Sequence, residues 1–195
     1  MFFFGIEKSW IPVNKLLKKC HQKNIKNIFC SKVDAYWGFH FLFKERSIKR
    51  IVMNYPDPWF KKSHESKRLT GVEHLYVYGK KLKQKGEIRI RTDDYAFVEF
   101  TLEGSALLDC YSAEVLEPII SMPLTKYEKR WLSMGKKIWD VFLVKEREPK
   151  PIRVREVKEV RELFPVKVAD RELKIGQISR KEFVLRPFFQ DIFNA

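Results

Sequence analysis

The chain has 195 residues, 45% of them hydrophobic, which is enough for one full domain with a small appendage and excludes a largely disordered protein. Its net charge of +14 predicts a polyanionic partner, nucleic acid first, with a basic but unengaged surface as the alternative. The three cysteines lack metal-ligand or disulfide-scaffold spacing, and the apolar start is too short for a membrane span or signal core. We therefore expect a soluble cytoplasmic protein.

The first part of the chain alternates between strand and helix patterns. Residues 2–6 are a short apolar run typical of a strand buried on both faces. Ser9 is expected to cap a helix that ends near Asn24. Residues 27–31 predict a second strand, and residues 36–43 an aromatic helix or turn. This alternation predicts an α/β fold with a doubly wound parallel sheet.

The same alternation continues through the middle of the chain. Residues 50–55 predict a third strand, which ends where prolines can no longer donate to a sheet. Residues 72–82 have helical spacing, and Gly86 is expected to stop that helix with a positive φ. Residues 87–91 predict a fourth strand, and residues 96–108 a further helix.

The sequence pattern changes towards the end of the chain. Residues 125–135 predict a short helix and residues 138–144 a late apolar strand. Beyond Pro149 and Pro151, apolar and charged residues alternate as they do in small antiparallel strands. We therefore predict a domain of residues 1–148, followed by a basic, β-rich extension of residues 149–195. The extension is expected either to help hold RNA or to cap a sheet edge.

The most informative segment is residues 54–69, NYPDPWFKKSHESKRL, where an apolar strand ends in Pro-Asp-Pro-Trp and the sequence then becomes basic. It resembles the signature of the bacterial tRNA (guanine-N7)-methyltransferases, in which a strand ends in Phe-Pro-Asp-Pro-Trp before a segment rich in Lys, His and Arg. The resemblance implies a Rossmann-like, S-adenosylmethionine-dependent enzyme that methylates N7 of a guanine in tRNA.

Four predicted strands end in a carboxylate, and these residues are Glu7, Asp34, Asp57 and Asp93. Ligands of open parallel sheets bind at the carboxyl ends of the strands, so the recurrence favours a shared pocket rim. Each carboxylate taken singly is better explained as a helix cap or a solvated loop residue.

The resemblance assigns a role to each of these residues. Glu7 is similar to the residue that holds the ribose hydroxyls of S-adenosylmethionine, and Asp34 to the residue near the adenine. Asp57 resembles the acidic residue at the reacting centre, beside the cofactor. Asp93 and Lys61 resemble contacts to the target guanine and its nucleotide. All five matches are made position by position.

The basic segment after the motif is expected to face RNA. The candidate RNA contacts are basic residues, one of them in a later helix: Lys62, His64, Lys67, Arg68 and Arg130. If the segment is helical, Lys61, His64 or Glu65, and Arg68 share one face. The segment holds fewer cations than the family commonly has, so its RNA affinity is expected to be weaker. An ordinary solvated charged helix is the alternative.

Thr125 and Glu128 support two compatible interpretations. Thr followed three places later by Glu is a capping box, in which each side chain bonds a backbone N–H at the helix start. The family pattern Thr-x-Tyr-Glu-x-Arg is also matched, by Thr125, Tyr127, Glu128 and Arg130, and there the Thr and Glu are implicated in holding the guanine. A capped helix end is a rigid mount for a recognition group.

Methylating N7 requires placement rather than proton removal, because N7 carries a lone pair and no proton. Carboxylates can accept from the N1 and N2 donors on the opposite edge of the guanine, and adenine lacks the N2 amino donor. No metal site is expected, since the four histidines show no ligand spacing.

Family members begin with a strand and a Gly-rich turn that cradles the methionine part of the cofactor, and this sequence starts after that element. With Glu7 in the ribose role, the loop would fall about 20 residues upstream. We therefore expect an N-terminally incomplete methyltransferase sheet, whose absent strand lies between the strands of residues 2–6 and 50–55. The protein is expected to be a monomer or homodimer.

Two other functions stay open at this point. The Asp57-Pro-Trp sequence has some likeness to the Asp/Asn-Pro-Pro-aromatic turn of amino-group methyltransferases, but it is one proline short. The absence of the glycine loop favours a non-catalytic RNA-binding protein derived from a methyltransferase.

Overall fold

The computed structural model describes residues 2–117 and 124–152, together with the backbones of two short strands at 166–168 and 172–173. The chain divides into two compact units. One comprises Met1–Lys44 with Arg155–Ala195, and the other comprises Glu45–Val154. Most of the predicted C-terminal extension lies outside the described residues, so its boundary at 148/149 stays a prediction. No helix in the described part of the chain is long and apolar enough to cross a membrane.

The first unit follows the predicted order of elements. These are β1 (Phe3–Glu7), α1 (Trp10–Gln22), β2 (Ile28–Lys32) and α2 (Ala35–Leu42). Strands β1 and β2 pair in parallel, from Phe3 opposite Ile28 to Glu7 opposite Lys32. Ser9 caps α1 as expected, because its hydroxyl accepts a hydrogen bond from the N–H of Ile11.

Two strands from the predicted extension complete this sheet. Strand β7 (Val166–Val168) pairs antiparallel with β2, and β8 (Glu172–Leu173) pairs antiparallel with β7. The sheet order is therefore β1-β2-β7-β8.

The second unit carries a mixed sheet in the order β3-β4-β6-β5. Its elements in chain order are β3 (Ile48–Asn54), a 3₁₀ helix (Lys62–Lys67), α3 (Val72–Lys81), β4 (Leu82–Thr92), α4 (Tyr95–Leu108), β5 (Tyr111–Leu116), α5 (Lys126–Ser133) and β6 (Trp139–Lys145). Strands β3 and β4 are parallel, whereas β6 is antiparallel to both β4 and β5. Ile88, Ile90, Val141 and Leu143 are fully buried where β4 and β6 pair.

Three expectations for this unit were wrong. The sheet is mixed rather than wholly parallel, because β6 and the unpredicted β5 run antiparallel. The basic segment forms a 3₁₀ helix, with three residues per turn, so the α-helical face proposed for it does not exist. The stop of α3 at Gly86 was also predicted wrongly.

Helix α3 ends at Lys81, and β4 begins at the next residue. Gly86, expected as a helix stop with positive φ, lies inside β4, and its neighbour Lys85 takes the left-handed φ of 59° instead. A Cβ at Gly86 would lie 2.8 Å from the carbonyl oxygen of Lys83 and 3.2 Å from that of Ile48. Glycine is required at this irregular register by close backbone approach.

Candidate active site at the strand ends

In the first unit, Glu7 and Asp34 lie at and just beyond the carboxyl ends of two adjacent parallel strands. The N–H of Val33 donates to the carbonyl of Glu7 over 2.9 Å, which holds the two ends together. The Glu7 carboxylate uses Oε1 to accept from the N–H groups of Lys8 (2.8 Å) and Ser9 (3.2 Å). Its predicted ribose contact is not tested by this geometry and stays a prediction.

Asp34 is the N-cap of α2. Its Oδ1 accepts from the N–H of Tyr36 over 2.9 Å, and its Oδ2 lies 2.7 Å from the ammonium of Lys8. The cap interpretation is therefore realised at Asp34. A contact of the same carboxylate with adenine stays a prediction.

In the second unit, the turns that carry Asp57 and Asp93 leave neighbouring parallel strands at the same edge. The N–H of Tyr55 donates to the carbonyl of Arg91 over 2.7 Å, one residue beyond the last strand residue, Asn54. Parallel strands end together, and ligands of such sheets bind where they end. Asp57 is exposed and Asp93 is half-buried, so the two carboxylates belong to one accessible edge of this unit.

The Pro-Asp-Pro-Trp turn (residues 56–59) is held from beneath by Arg68. The guanidinium donates from Nε to the carbonyl of Pro58 (2.9 Å) and from Nη2 to the carbonyl of Trp59 (3.3 Å). It also lies 4.3 Å from the ring centre of Phe100. Arg68, predicted to contact RNA, thus has its guanidinium engaged with the protein, and its RNA role stays a prediction.

Two of the predicted RNA contacts pack against the ring of Trp59. His64 meets the ring edge to face, with centroids 5.4 Å apart, and the ammonium of Lys67 lies 4.9 Å from its centre. Lys61 and Arg130 are exposed, as RNA contacts would be. The side chain of Lys62 lies outside the described residues.

The capping box predicted from Thr125 and Glu128 is present. The hydroxyl of Thr125 accepts from the N–H of Glu128 (3.2 Å), and Oε2 of Glu128 accepts from the N–H of Thr125 (2.6 Å). Glu128 is nevertheless only 2% exposed. Its other oxygen, Oε1, accepts from Nη1 of Arg91 over 2.7 Å.

Arg91 is the centre of an ion-pair group, the Arg91 cluster, whose members are Arg89, Arg91, Glu128 and Asp140. Arg91 donates to both oxygens of Asp140, from Nε over 2.8 Å and from Nη2 over 2.7 Å, while Arg89 donates to Oδ2 over 2.7 Å. Fork-to-carboxylate pairing of this kind is strong and directional. The cluster ties the start of α5 to β4, two residues before Asp93.

The electrostatics follow from these contacts. Burial acts to raise the pKa of Glu128, but the Thr125 hydroxyl and N–H, and then Arg91, outweigh it and hold the pKa at about 2. Asp140 behaves alike: burial opposes ionisation, yet Arg91 and Arg89 keep its pKa below the ordinary value. The Arg91 pKa is raised, chiefly by its bonds to Asp140. All of these groups are charged at neutral pH.

Aromatic side chains close the edge beside this cluster. The rings of Tyr55 and Trp131 meet at 4.8 Å, and Lys136 lies 5.4 Å from the Trp131 ring and 3.4 Å from Oδ2 of Asp93. Burial, and then the carboxylate of Glu128, raises the pKa of the Tyr55 hydroxyl. Within the described residues, no group of three or more His, Cys, Asp or Glu could hold a metal ion.

The sequence patterns did not single out Arg91, Asp140 or Tyr55. Arg91 and Asp140 are direct partners in the antiparallel register of β4 and β6. The sequence does show arginines that alternate with isoleucines in β4, which could have indicated a buried cation. The identity of its partner, however, depends on which strand pairs with β4.

Comparisons with known proteins define the class of protein first. Residues 1–141 match a family model described as "Putative methyltransferase". Two solved structures share the fold at a TM-score of 0.51: an rRNA methylase from Streptococcus thermophilus (14% identity) and precorrin-6y C5,15-methyltransferase from Geobacter metallireducens GS-15 (15%). Each alignment covers 74% of this chain, with 73% and 68% of the respective neighbour. The predicted α/β methyltransferase fold is confirmed.

Curated relatives then define the family. The tRNA (guanine-N(7)-)-methyltransferase of Aquifex aeolicus is 52% identical over 94% of this chain and 62% of that protein. The Mycoplasma pneumoniae enzyme is 34% identical, over 74% and 73%, and that of Thermotoga maritima is 30% identical, over 97% and 63%. The chain belongs to the tRNA (guanine-N(7)-)-methyltransferase family. It spans somewhat less than two thirds of the Aquifex and Thermotoga proteins.

Proposed function

We propose that this chain transfers a methyl group from S-adenosylmethionine to N7 of a guanine in tRNA. The proposal rests on the arrangement of residues at one edge of the sheet in the second unit, where β3 and β4 end. There the Pro-Asp-Pro-Trp turn leaves β3 beside the Asp93 turn of β4, and the Arg91 cluster joins the capped start of α5 to β4. Family membership supports the same reaction.

Glu7 and Asp34 are the residues proposed to hold the cofactor in the first unit. Both bonds from Lys8 and Ser9 use Oε1 of Glu7, so Oε2 keeps its lone pairs for a ribose diol. Asp34 is partly exposed at the end of the adjacent strand, where a carboxylate fits near an adenine. Bound S-adenosylmethionine would supply an electrophilic methyl group on a sulfonium centre.

The protein's part in the reaction is placement. The N7 atom carries a lone pair, so no residue has to remove a proton. Exposed Asp57, on a turn held by Arg68, is proposed to orient the reacting groups, and Asp93 to accept from the N1 and N2 donors of the guanine. Such positioning contributes up to about 7 to 11 kcal/mol in ideal intramolecular cases. Lys61 is proposed to contact the nucleotide.

Thr125 and Glu128 are proposed to complete the guanine site. Thr125 is exposed at the capped start of α5, where its hydroxyl can reach a ligand. Glu128 is buried, and its oxygens already accept from Nη1 of Arg91 and the N–H of Thr125, with the hydroxyls of Thr125 and Tyr55 also interacting with the carboxylate. An ionised carboxylate has about four lone-pair sites, so a guanine contact would take the place of one of these hydroxyls.

The proposed polyanionic substrate accounts for the basic surface. Lys61, His64, Lys67 and Arg130 are proposed to contact the RNA backbone, together with Lys62. Binding of this kind weakens steeply with salt. The proposed compartment is the cytoplasm, and the proposed state is a monomer or homodimer.

The proposal is tested by methyl transfer from labelled S-adenosylmethionine to a tRNA transcript, with each guanine replaced in turn by 7-deazaguanine, which has carbon in place of N7. One replacement should abolish labelling. Asp57→Ala should also abolish it, whereas Glu103→Ala, an exposed carboxylate change on α4, should not.

Two results would contradict the proposal. Labelling that survives every 7-deazaguanine substitution would indicate an amino-group methyltransferase. A protein that binds tRNA with and without Asp57 but never transfers methyl would be a non-catalytic RNA-binding relative.

A further inference from the structure

Phe60 is the most exposed large hydrophobic side chain in the described residues, at 80%. It follows the Pro-Asp-Pro-Trp turn directly and lies three positions after Asp57. A phenylalanine left in water beside a proposed reacting centre has a large apolar surface to bury against a ligand.

The backbone on both sides of Phe60 is held. Arg68 donates to the carbonyls of Pro58 and Trp59, immediately before it. The carbonyl of Lys61, immediately after it, accepts from the N–H of His64 over 2.8 Å and starts the 3₁₀ helix. The ring is therefore presented by a fixed turn, which reduces the entropy lost when it contacts a partner.

The surroundings of Phe60 are cationic. Lys61 is exposed next to it, and Lys67 is exposed above the Trp59 ring, 4.9 Å from its centre. An apolar protein partner would have to desolvate these ammonium groups, which is costly. An exposed aromatic ring on a segment with exposed lysines instead matches an unpaired nucleotide, whose base stacks while its phosphates meet the lysines.

We propose that Phe60 is a stacking platform for an unpaired base of the RNA substrate, next to the nucleotide presented to Asp57. This inference rests on the proposed function, and it adds a recognition contact that depends on base stacking and not on charge. Bases inside a duplex are already stacked on one another and cannot use the platform.

The test measures equilibrium binding of three probes to the full chain by fluorescence anisotropy: an unmodified tRNA transcript, a single-stranded oligoribonucleotide and a blunt RNA duplex. Phe60→Ala should weaken binding of the first two by about fivefold to 150-fold, the range for losing one stacked base. Binding of the duplex should not change. Phe60→Trp should restore binding, whereas Phe60→Leu, which keeps apolar area but lacks a ring face, should not.

Two further variants separate stacking from charge and from general surface effects. Phe60→Ala should leave the salt slope of binding unchanged, while Lys67→Ala should reduce that slope by about 0.7 to 1, the value of one phosphate contact. Leu107→Ala removes a side chain that is 70% exposed on α4, and it should bind every probe as the unaltered protein does.

Any of four RNA-binding results would overturn the inference. They are equal binding by Phe60→Ala and the unaltered protein, full binding by Phe60→Leu, an equal loss on the duplex, and no RNA binding by the unaltered protein. Self-association that disappears in Phe60→Ala would assign the ring to a second copy of the chain instead. Phe60-dependent binding without methyl transfer would leave the platform standing and refute only the proposed function.

Discussion

Replacing Arg91 with methionine removes the guanidinium at the centre of the Arg91 cluster while keeping an aliphatic stem to pack. Arg91 is 15% exposed, and its partners Glu128 and Asp140 are 2% and 6% exposed, so water cannot replace the lost bonds. Removing one partner of a buried pair costs about 3 to 5 kcal/mol, because a charge is left uncompensated.

The contacts that remain in Arg91→Met place the expected loss of stability near the lower limit of this range. Asp140 keeps Arg89 at 2.7 Å, and Glu128 keeps the N–H of Thr125 at 2.6 Å. We therefore expect Arg91→Met to lower the free energy of unfolding by about 3 kcal/mol. In a chain of this length that corresponds to a melting temperature lower by about 6 to 12 °C.

The measurement is urea unfolding at pH 7, followed by tryptophan fluorescence. Arg50→Met is the matched control, since Arg50 pairs with Glu87 across β3 and β4 on an exposed surface, where a pair contributes below about 1 kcal/mol. Combining Arg91→Met with Glu128→Gln should recover part of the loss, because the orphaned charge is gone.

The reasoning fails if Arg91→Met costs no more than Arg50→Met. It also fails if Glu128→Gln adds its full cost on top of Arg91→Met, since the two groups would then not be coupled.

One further prediction concerns Glu128 of the Arg91 cluster, and another concerns Arg68. The pKa of Glu128 is lowered from 4.5 to about 2, so the stability that its ionised form contributes is complete above pH 4.5 and is lost as the pH falls towards 2. The urea midpoint of the unaltered protein should drop across that window, and the midpoint of Glu128→Gln should drop less. Equal drops would contradict the pairing of Glu128 with Arg91. Arg68→Lys, which cannot make the forked contact with Pro58 and Trp59, should lower kcat for methyl transfer about tenfold to 100-fold with little change in tRNA affinity. Lys67→Ala should instead weaken tRNA affinity with little change in kcat. The same effects of both variants on kcat and affinity would refute a positioning role for Arg68.

The parts of the fold that the sequence predicted are those with strong local signals. Strand β1 is a continuous apolar run, and α1 begins at a Ser cap. Strand β5 (Tyr111–Leu116) was missed because, among the described strands, it pairs only with β6 and its pattern of exposure does not alternate. The α3–β4 junction was misplaced because pairing of Ile48 with Leu82 begins the strand where local residues resemble a helix stop.

The candidate site shows the same division. Asp57, Asp93, Thr125 and Glu128 could be named because each stands in a short, recognisable segment. The ion pair of Arg91 with Asp140 joins residues 49 positions apart, and it exists only through the register of β4 and β6. A local pattern carries no information about such a partner.

The net charge of +14 is also a poor measure of the surface offered to RNA. Arg89 and Arg91 are neutralised within the Arg91 cluster, and Arg68 faces the carbonyls of the Pro-Asp-Pro-Trp turn. Lys67, one residue earlier, remains exposed. We therefore expect the two adjacent cations to play different roles: the arginine's fork suits fixed carbonyl acceptors, and the lysine's hydrated point charge suits the phosphates of the proposed RNA substrate. Only exposed cations should contribute to the salt dependence of RNA binding. The slope of log affinity against log salt concentration should therefore be well below what the net charge suggests.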